Sequence, residues 1–251
     1  NKIYSAIVPI VSALETVMPV LTQLIKSQKS IACDAWIEEL QKLKMQALEP
    51  TPAGKFVASV AQQAQIAGFT GKDTIITTDV GQHQMWVAQY YPFVRPRQFL
   101  TSGSLGTMGF GLPVAIGAGL QNPKKRIICF TGDGSIMMNI QELATLSEEN
   151  LDVTIIALDN HTLGMVRQQQ ELACDKRYSA SIYKKSPNLC AIAEGFGIPS
   201  MEVALSDNSW GSFAFPKAGS GPRFICCKIE QGENVFPFVP AGKANIDAML
   251  S

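Results

Sequence analysis

From Thr51 onward, short apolar runs rich in β-branched residues alternate with stretches of helical spacing. No other feature limits the fold as strongly. The runs are Thr74–Thr78, Arg126–Thr131, Val153–Leu158, Met201–Leu205 and Arg223–Ile229. Helices are predicted over Pro52–Ala67, with Thr51 as N-cap and Pro52 in the first turn. Further helices are predicted near Gly109–Gln121, Asn139–Glu149, Leu163–Leu172 and Asn188–Phe196. Strands that alternate with helices imply an α/β domain, with a mostly parallel sheet carrying helices on both faces.

Residues 1–50 read differently. Ile7-Val8 could end a strand. Val11, Leu14, Val17, Leu21 and Leu24 follow helical spacing, and Trp36, Ile37, Leu40 and Leu43 repeat it. Two helices and a strand remnant cannot bury two faces by themselves. Residues 1–50 are therefore expected to be the tail of a preceding domain plus a linker, with the main domain over 51–251. The chain opens without Met, mid-pattern, as a fragment would. The apolar run Ala6–Leu21 holds Ser12, Glu15 and two prolines and is too short to span a bilayer, and no signal peptide is visible.

Charge narrows the function. The 21 basic and 21 acidic residues cancel, which is not the footprint of a nucleic-acid binder. The small cluster Lys124-Lys125-Arg126 reads as a solvated turn. Six cysteines form no CxxC pair, and only two histidines are present, so a zinc site is not expected. Cys129, Cys226 and Cys227 fall in strand-like runs and are expected as reduced core residues of a cytosolic protein.

Chemistry is expected at the carboxyl ends of the strands, where open α/β sheets bind their ligands. The run Arg126–Thr131 leads directly into Gly132-Asp133-Gly134-Ser135. The glycines permit a close approach to an anion, and the following helix offers free N–H groups. Asp133 alone would repel a phosphate, so its presence makes sense if a divalent cation lies between them. The next strand ends at Asp159-Asn160, where Asn160 can offer an amide oxygen to the same ion. A plain turn and a helix cap are the alternative readings of these two segments. Two more segments join the same edge: Thr78–Trp86, which contains Gly81, Gln82 and His83, and the glycine-rich Thr101–Gly111. The latter lacks a GKS/T ending and is no Walker loop.

Together GQHQMW, SGSLGTMGFGLP, GDGSIMMNIQEL, the spacing from GDGS to LDN, LGMVRQ and ENVFPFVPAG resemble the thiamine-diphosphate enzymes, specifically the acetolactate (acetohydroxyacid) synthase catalytic subunit. The likeness covers nearly all of 50–245 and, more loosely, the first 50 residues.

The resemblance implies that Asp133, Asn160 and the Thr162 carbonyl bind Mg²⁺. It implies that Val80, Gly81, Gln82 and His83, with Gly134 and Ser135, hold the diphosphate. Gly106 and Met108 would contact the aminopyrimidine, while Gly164 and Met165 close the site. Met138, Met165 and Gln169 would line the approach of the second substrate. Core packing is the alternative for each methionine. The family has a second Gly where Ser104 stands and Trp where Gln169 stands. Losing that rigid wall is expected to weaken discrimination between 2-ketobutyrate and pyruvate, since a pocket methylene is worth only ~1–3 kcal/mol.

The implied activity is decarboxylation of pyruvate and its ligation to a second 2-keto acid, in branched-chain amino-acid synthesis. The activating glutamate of the family lies in an N-terminal pyrimidine-binding domain, so no catalytic residue is assigned in this chain; Glu142 lies on the diphosphate side. The chain is expected to be the end of the middle domain plus the diphosphate-binding domain. Alone it would bind cofactor weakly and make no acetolactate. FAD is expected in the full-length family, bound mostly outside this part. Homodimers or larger assemblies, a small regulatory subunit, and a cytoplasmic location (plastid or mitochondrial in a eukaryote) are also implied. Another decarboxylase or carboligase of the same cofactor class, or a non-catalytic cofactor-binding module, are the rival readings.

Overall fold

The β-branched runs form strands, and their neighbours in sequence form the covering helices. The computed structural model describes residues 5–28, 33–46, 50–69, 71–205, 215, 217 and 219–250. The chain divides into two compact units, Asn1–Leu48 and Glu49–Ser251.

In the first unit the helical spacing produces α1 (Leu14–Ser27) and α2 (Asp34–Gln46). Ile7-Val8, expected to end a strand, lies in a bend instead. The apolar positions Leu14 and Leu24 of α1 and Trp36, Ile37 and Leu40 of α2 are exposed. The Leu43 side chain lies outside the described residues.

The second unit opens with α3 (Pro52–Ile66), where Thr51 Oγ1 accepts the Gly54 N–H at 3.3 Å as the predicted N-cap. The order continues β1 (Thr74–Thr78), α4 (Gln82–Tyr90), β2 (Phe99–Thr101), α5 (Gly111–Gln121), β3 (Arg126–Gly132) and α6 (Asp133–Ile136). Then follow α7 (Leu143–Glu148), β4 (Val153–Asp159), α8 (Gly164–Ala173), α9 (Leu189–Gly195), β5 (Ser200–Ala204) and β6 (Arg223–Lys228). The six strands form one parallel sheet in the order β2-β1-β3-β4-β6-β5, which is the α/β architecture expected.

Alternation along the strands builds two cores. Ile76, Ile128, Phe130 and Ile156 pack with Phe56 and Val57 of α3 and Trp86 of α4. Their neighbours Ile75, Ile127, Cys129 and Ile155 point the other way, onto Leu112 of α5, Leu143 of α7 and Leu189 of α9. Every residue of β3 and β4 is buried, as a strand covered on both faces requires. The three strand cysteines are buried and free of disulfides.

Two local expectations are corrected, and two elements are added. The predicted helix Asn139–Glu149 is a 3-10 turn at Ile140–Glu142 followed by α7, and a separate turn of helix, α6, begins at Asp133 itself. Within Thr78–Trp86 a helix, α4, starts at Gln82, and neither α4 nor β2 is among the predicted elements. Arg126 is no part of a solvated turn. Its side chain is fully buried, paired with Asp152 at 2.7 Å, with its guanidinium 4.4 Å from the Phe69 ring centroid. A charge goes inside only with such partners.

From β1 the chain passes to β2 on one side of the sheet and then returns to β3 on the other. The reversal opens a crevice at the carboxyl ends of β1 and β3. Among the described residues, no helix is long and apolar enough to cross a membrane.

Candidate functional site

A cavity of about 690 Å³, its open mouth included, occupies that crevice. Four segments wall it. The turn from β1 into α4 supplies Val80, Gly81, Gln82 and His83. The segment after β2 supplies Gly106 and Met108, and α6 supplies Asp133, Gly134 and Ser135. The turn from β4 into α8 supplies Asn160, Thr162, Gly164 and Met165. Met138 and Gln169 do not line it. Met138 is more than half exposed beside Gly109, and Gln169 faces solvent from α8. Glu142 also lies outside, accepting the Thr145 hydroxyl at 3.2 Å.

The walls are tied together by buried polar contacts. Ser135 Oγ donates to the Val80 carbonyl at 2.8 Å. Asp79, wholly buried, accepts the N–H groups of Val80 (3.0 Å) and Gly109 (2.7 Å) through Oδ1 and the Thr131 hydroxyl (3.4 Å) through Oδ2. Burial pushes its carboxyl pKa up against those hydrogen bonds.

The glycines matter here chiefly for space. Gly134 is helical; a Cβ on it would lie 2.4 Å from Tyr183 Oη and 2.8 Å from Leu163 Cδ2. A Cβ on Gly164 would lie 2.1 Å from Gln82 Oε1. Only at Gly81 (φ +154°), Gly106 (φ +71°) and Gly109 (φ +88°) does the backbone itself favour glycine.

Asp133 is the electrostatic focus. Its Oδ1 accepts the Gly134 N–H at 3.0 Å, whereas buried Oδ2 has no hydrogen-bond partner among the described residues. Burial, and then the charge of Asp159, push its pKa up. Such an oxygen wants a cation. Asn160 and Thr162 are buried beside it, with Asn160 Oδ1 accepting the Thr162 N–H at 3.2 Å and hydroxyl at 2.9 Å. This oxygen-rich set suits Mg²⁺.

Asp133, Asp159 and His161 also approach within 4.8 Å of one another, but Asp159 and His161 have other work. Asp159 pairs with Lys228 and accepts the His161 N–H at 3.2 Å, while His161 Nδ1 sits 2.7 Å from Ser186 Oγ. Burial opposes the Asp159 charge, yet Lys228 and then His161 outweigh it and hold the pKa low.

His83 also lines the crevice, with its ring next to Gly132 and with Nε2 buried and without a hydrogen-bond partner among the described residues. Burial pushes its pKa down to about 3 against the opposing Asp79 carbonyl, so the ring is neutral. The Gln82 side chain is fully engaged elsewhere. Nε2 donates to Gln168 Oε1 (2.8 Å) and the Glu233 carbonyl (3.0 Å), and Oε1 accepts from Asn160 Nδ2 (3.3 Å).

Asp79, Gln168, Tyr183 and Lys228 were not anticipated from the sequence. Asp79 directly follows β1, which is a usable signal. Gln168 is one residue from the position singled out on α8. Tyr183 and Lys228 carry no local signal.

Residues 79–225 match the model of the thiamine pyrophosphate enzyme C-terminal TPP-binding domain. The chain is 42% identical over 250 residues to acetolactate synthase isozyme 1 large subunit of Escherichia coli (strain K12), covering 98% of this chain and 44% of that protein. It is 39% identical over 243 residues to acetolactate synthase large subunit of Lactococcus lactis subsp. lactis (strain IL1403), covering 96% and 42%. Acetolactate synthase 2, chloroplastic, of Zea mays is 38% identical over 243 residues, covering 89% and 36%. The chain thus spans less than half the length of these relatives.

Proposed function

Because the chain belongs to the thiamine pyrophosphate enzymes through their C-terminal cofactor-binding domain, we propose that its crevice holds the diphosphate end of that cofactor with Mg²⁺. We further propose that it serves acetolactate synthesis as part of a large catalytic subunit. The observation that carries the cofactor reading is the buried Oδ2 of Asp133, without a hydrogen-bond partner among the described residues, in a crevice that Asn160 and Thr162 also line and where Gly134 and Gly164 leave no room for a side chain.

In this reading Asp133, Asn160 and the Thr162 carbonyl hold the ion. Gly81, Gln82 and His83 meet the diphosphate at the start of α4, through backbone N–H groups where the Gln82 side chain is committed. Ser135 ties α6 to Val80 and keeps the two phosphate-facing segments at a fixed spacing. Gly106 and Met108 pack against the flat part of the cofactor, and Met165 covers the mouth. When bound, the cofactor supplies the electron sink for decarboxylating a 2-keto acid and joining it to another. The chain's part is to hold, orient and shield it. A small regulatory subunit belongs to the same reading, supported by the large-subunit names of the relatives; homo-oligomerisation, FAD elsewhere in the protein and 2-keto acid substrates rest on the family resemblance alone.

Equilibrium dialysis of thiamine diphosphate against the chain, with and without Mg²⁺, tests the cofactor reading. Metal-dependent retention that EDTA reverses is expected, and retention indifferent to metal contradicts it. Forming acetolactate rather than acetaldehyde from pyruvate, in the protein that carries this chain, tests the activity.

A further inference from the structure

The two ends of an asparagine amide have nearly the same shape, so neighbours must decide which end meets a cation. Here that decision can be followed from atom to atom. Gln168 is buried on α8. Its Oε1 accepts the Val235 N–H at 2.9 Å, and its Nε2 donates to the Val235 carbonyl at 2.9 Å. A backbone N–H only donates and a carbonyl only accepts, so this two-point contact admits one orientation of the Gln168 amide.

Oε1 of Gln168 therefore faces Gln82 and accepts its Nε2 at 2.8 Å. The Glu233 carbonyl, 3.0 Å from the same nitrogen, makes the same demand. Gln82 is left with Oε1 toward the turn after β4, where Asn160 Nδ2 donates to it at 3.3 Å. The Asn160 oxygen is thereby turned to the other end, next to Thr162.

Resting on the Mg²⁺–diphosphate reading of the crevice, we infer that Gln168 is a positioning residue for the ion: through Gln82 it orients the Asn160 amide so that oxygen, not nitrogen, is presented to the metal. Gln168 does not itself line the crevice. It transmits the fixed polarity of the Val235 backbone, 67 positions away, to a side chain at the carboxyl end of β4. Outer partners of metal ligands act in this way, and losing one costs about 10–100-fold in metal affinity.

The test is Mn²⁺ titration of the full chain in the presence of thiamine diphosphate, with free Mn²⁺ read by electron paramagnetic resonance. Gln168→Met keeps the length and removes both polar ends; Gln168→Glu keeps the acceptor and removes the donor. Gln168→Met is expected to weaken Mn²⁺ binding about tenfold, and Gln168→Glu, whose carboxylate still accepts from Gln82, is expected to weaken it less. In Asn160→Asp, which carries oxygen at both ends, the same substitutions are expected to add less than about twofold. Equal losses in both backgrounds indicate a merely structural role and overturn the inference. Unchanged affinity in a folded Gln168→Met variant also overturns it. Where neither variant keeps its native circular dichroism, nuclear Overhauser contacts in the unaltered chain decide. Contacts from the Asn160 NH₂ protons to Gln82 support the relay, and contacts to the Thr162 methyl in their place overturn it. Failure of the unaltered chain to take up Mn²⁺ with thiamine diphosphate refutes the cofactor reading itself, whereas uptake indifferent to Gln168 refutes only the relay.

Discussion

Asp79 Oδ1 receives the backbone N–H of Gly109 at 2.7 Å, and this bond fastens the glycine-rich segment after β2 to the end of β1. The same carboxylate also holds Val80 and Thr131, so one buried side chain spaces three walls of the crevice. Asp79→Ala takes the acceptor from the Val80 and Gly109 N–H groups, each worth about 1–3 kcal/mol when buried, while the Thr131 hydroxyl keeps the Gly132 carbonyl at 3.4 Å. A loss of about 3 kcal/mol in urea unfolding is expected. Asp79→Asn keeps one accepting oxygen and is expected to cost less; equal losses contradict the account.

Gly134→Ala places a methyl 2.4 Å from Tyr183 Oη. Overpacking of this kind costs about 1–3 kcal/mol. Adding Tyr183→Phe removes the nearer clash and is expected to recover about 1 kcal/mol of the loss, as contacting residues couple. Thermal denaturation of the single and double variants measures it, and strict additivity refutes the steric reading.

His83 makes stability depend on pH with a definite sign. Its folded pKa is about 3 against 6.5 for an unburied imidazole. Between those values the unfolded chain binds the proton and the folded chain does not. The contribution is therefore complete above pH 6.5 and is lost as pH falls. Linkage gives about 2 kcal/mol by about pH 5. The difference between the unfolding free energies of the unaltered chain and His83→Gln should shrink by that amount from about pH 7.5 to about pH 5. A constant difference would show that the ring titrates normally in the folded chain.

Asp133→Asn removes a buried carboxylate that has an unpartnered oxygen. On the proposed reading, metal-dependent retention of thiamine diphosphate drops at least about tenfold. The metal-free chain keeps or gains stability, by about 1 kcal/mol, because a carboxyl that burial and the Asp159 charge force away from its ordinary ionised state is gone. A variant that loses stability while retaining the cofactor contradicts both statements.

Arg126 lies at the start of β3, the end opposite the crevice. Arg126→Ala removes the Asp152 pair and the contact with Phe69 and is expected to cost about 3–5 kcal/mol. Cofactor affinity at a temperature where the variant remains folded should be unchanged. A tenfold loss of affinity there would mean that the two ends of the strand are coupled.

The strands and most covering helices were legible because their signal is local. A run such as Ile127-Ile128-Cys129-Phe130 has few alternatives to a buried strand, and Thr51-Pro52 marks the start of α3 by its own chemistry. α4 was not legible. Two of its buried residues, Gln82 and His83, are polar, so its inward side lacks the apolar period that marks a helix. Their burial makes sense only with Gln168, Asn160 and the Asp79 carbonyl in place. Arg126 misled for the same reason. Beside two lysines it reads as surface, and its partners Asp152 and Phe69 are distant in the chain.

By itself the sequence determined the α/β alternation, the strand ends at which Asp133 and Asn160 stand, and the glycine positions around them. These follow from steric and hydrophobic preferences acting over a few neighbouring residues. Only the tertiary structure decided that Met138 and Gln169 stay outside the crevice, that Gly134 is small because Tyr183 crosses it, and that Asp133 keeps an unpartnered oxygen. It alone joined Gln82 to Asn160 and Gln168, across 78 and 86 positions. A hydrogen bond depends on where two atoms lie in space, and no local periodicity records which distant residue the folded sheet brings alongside.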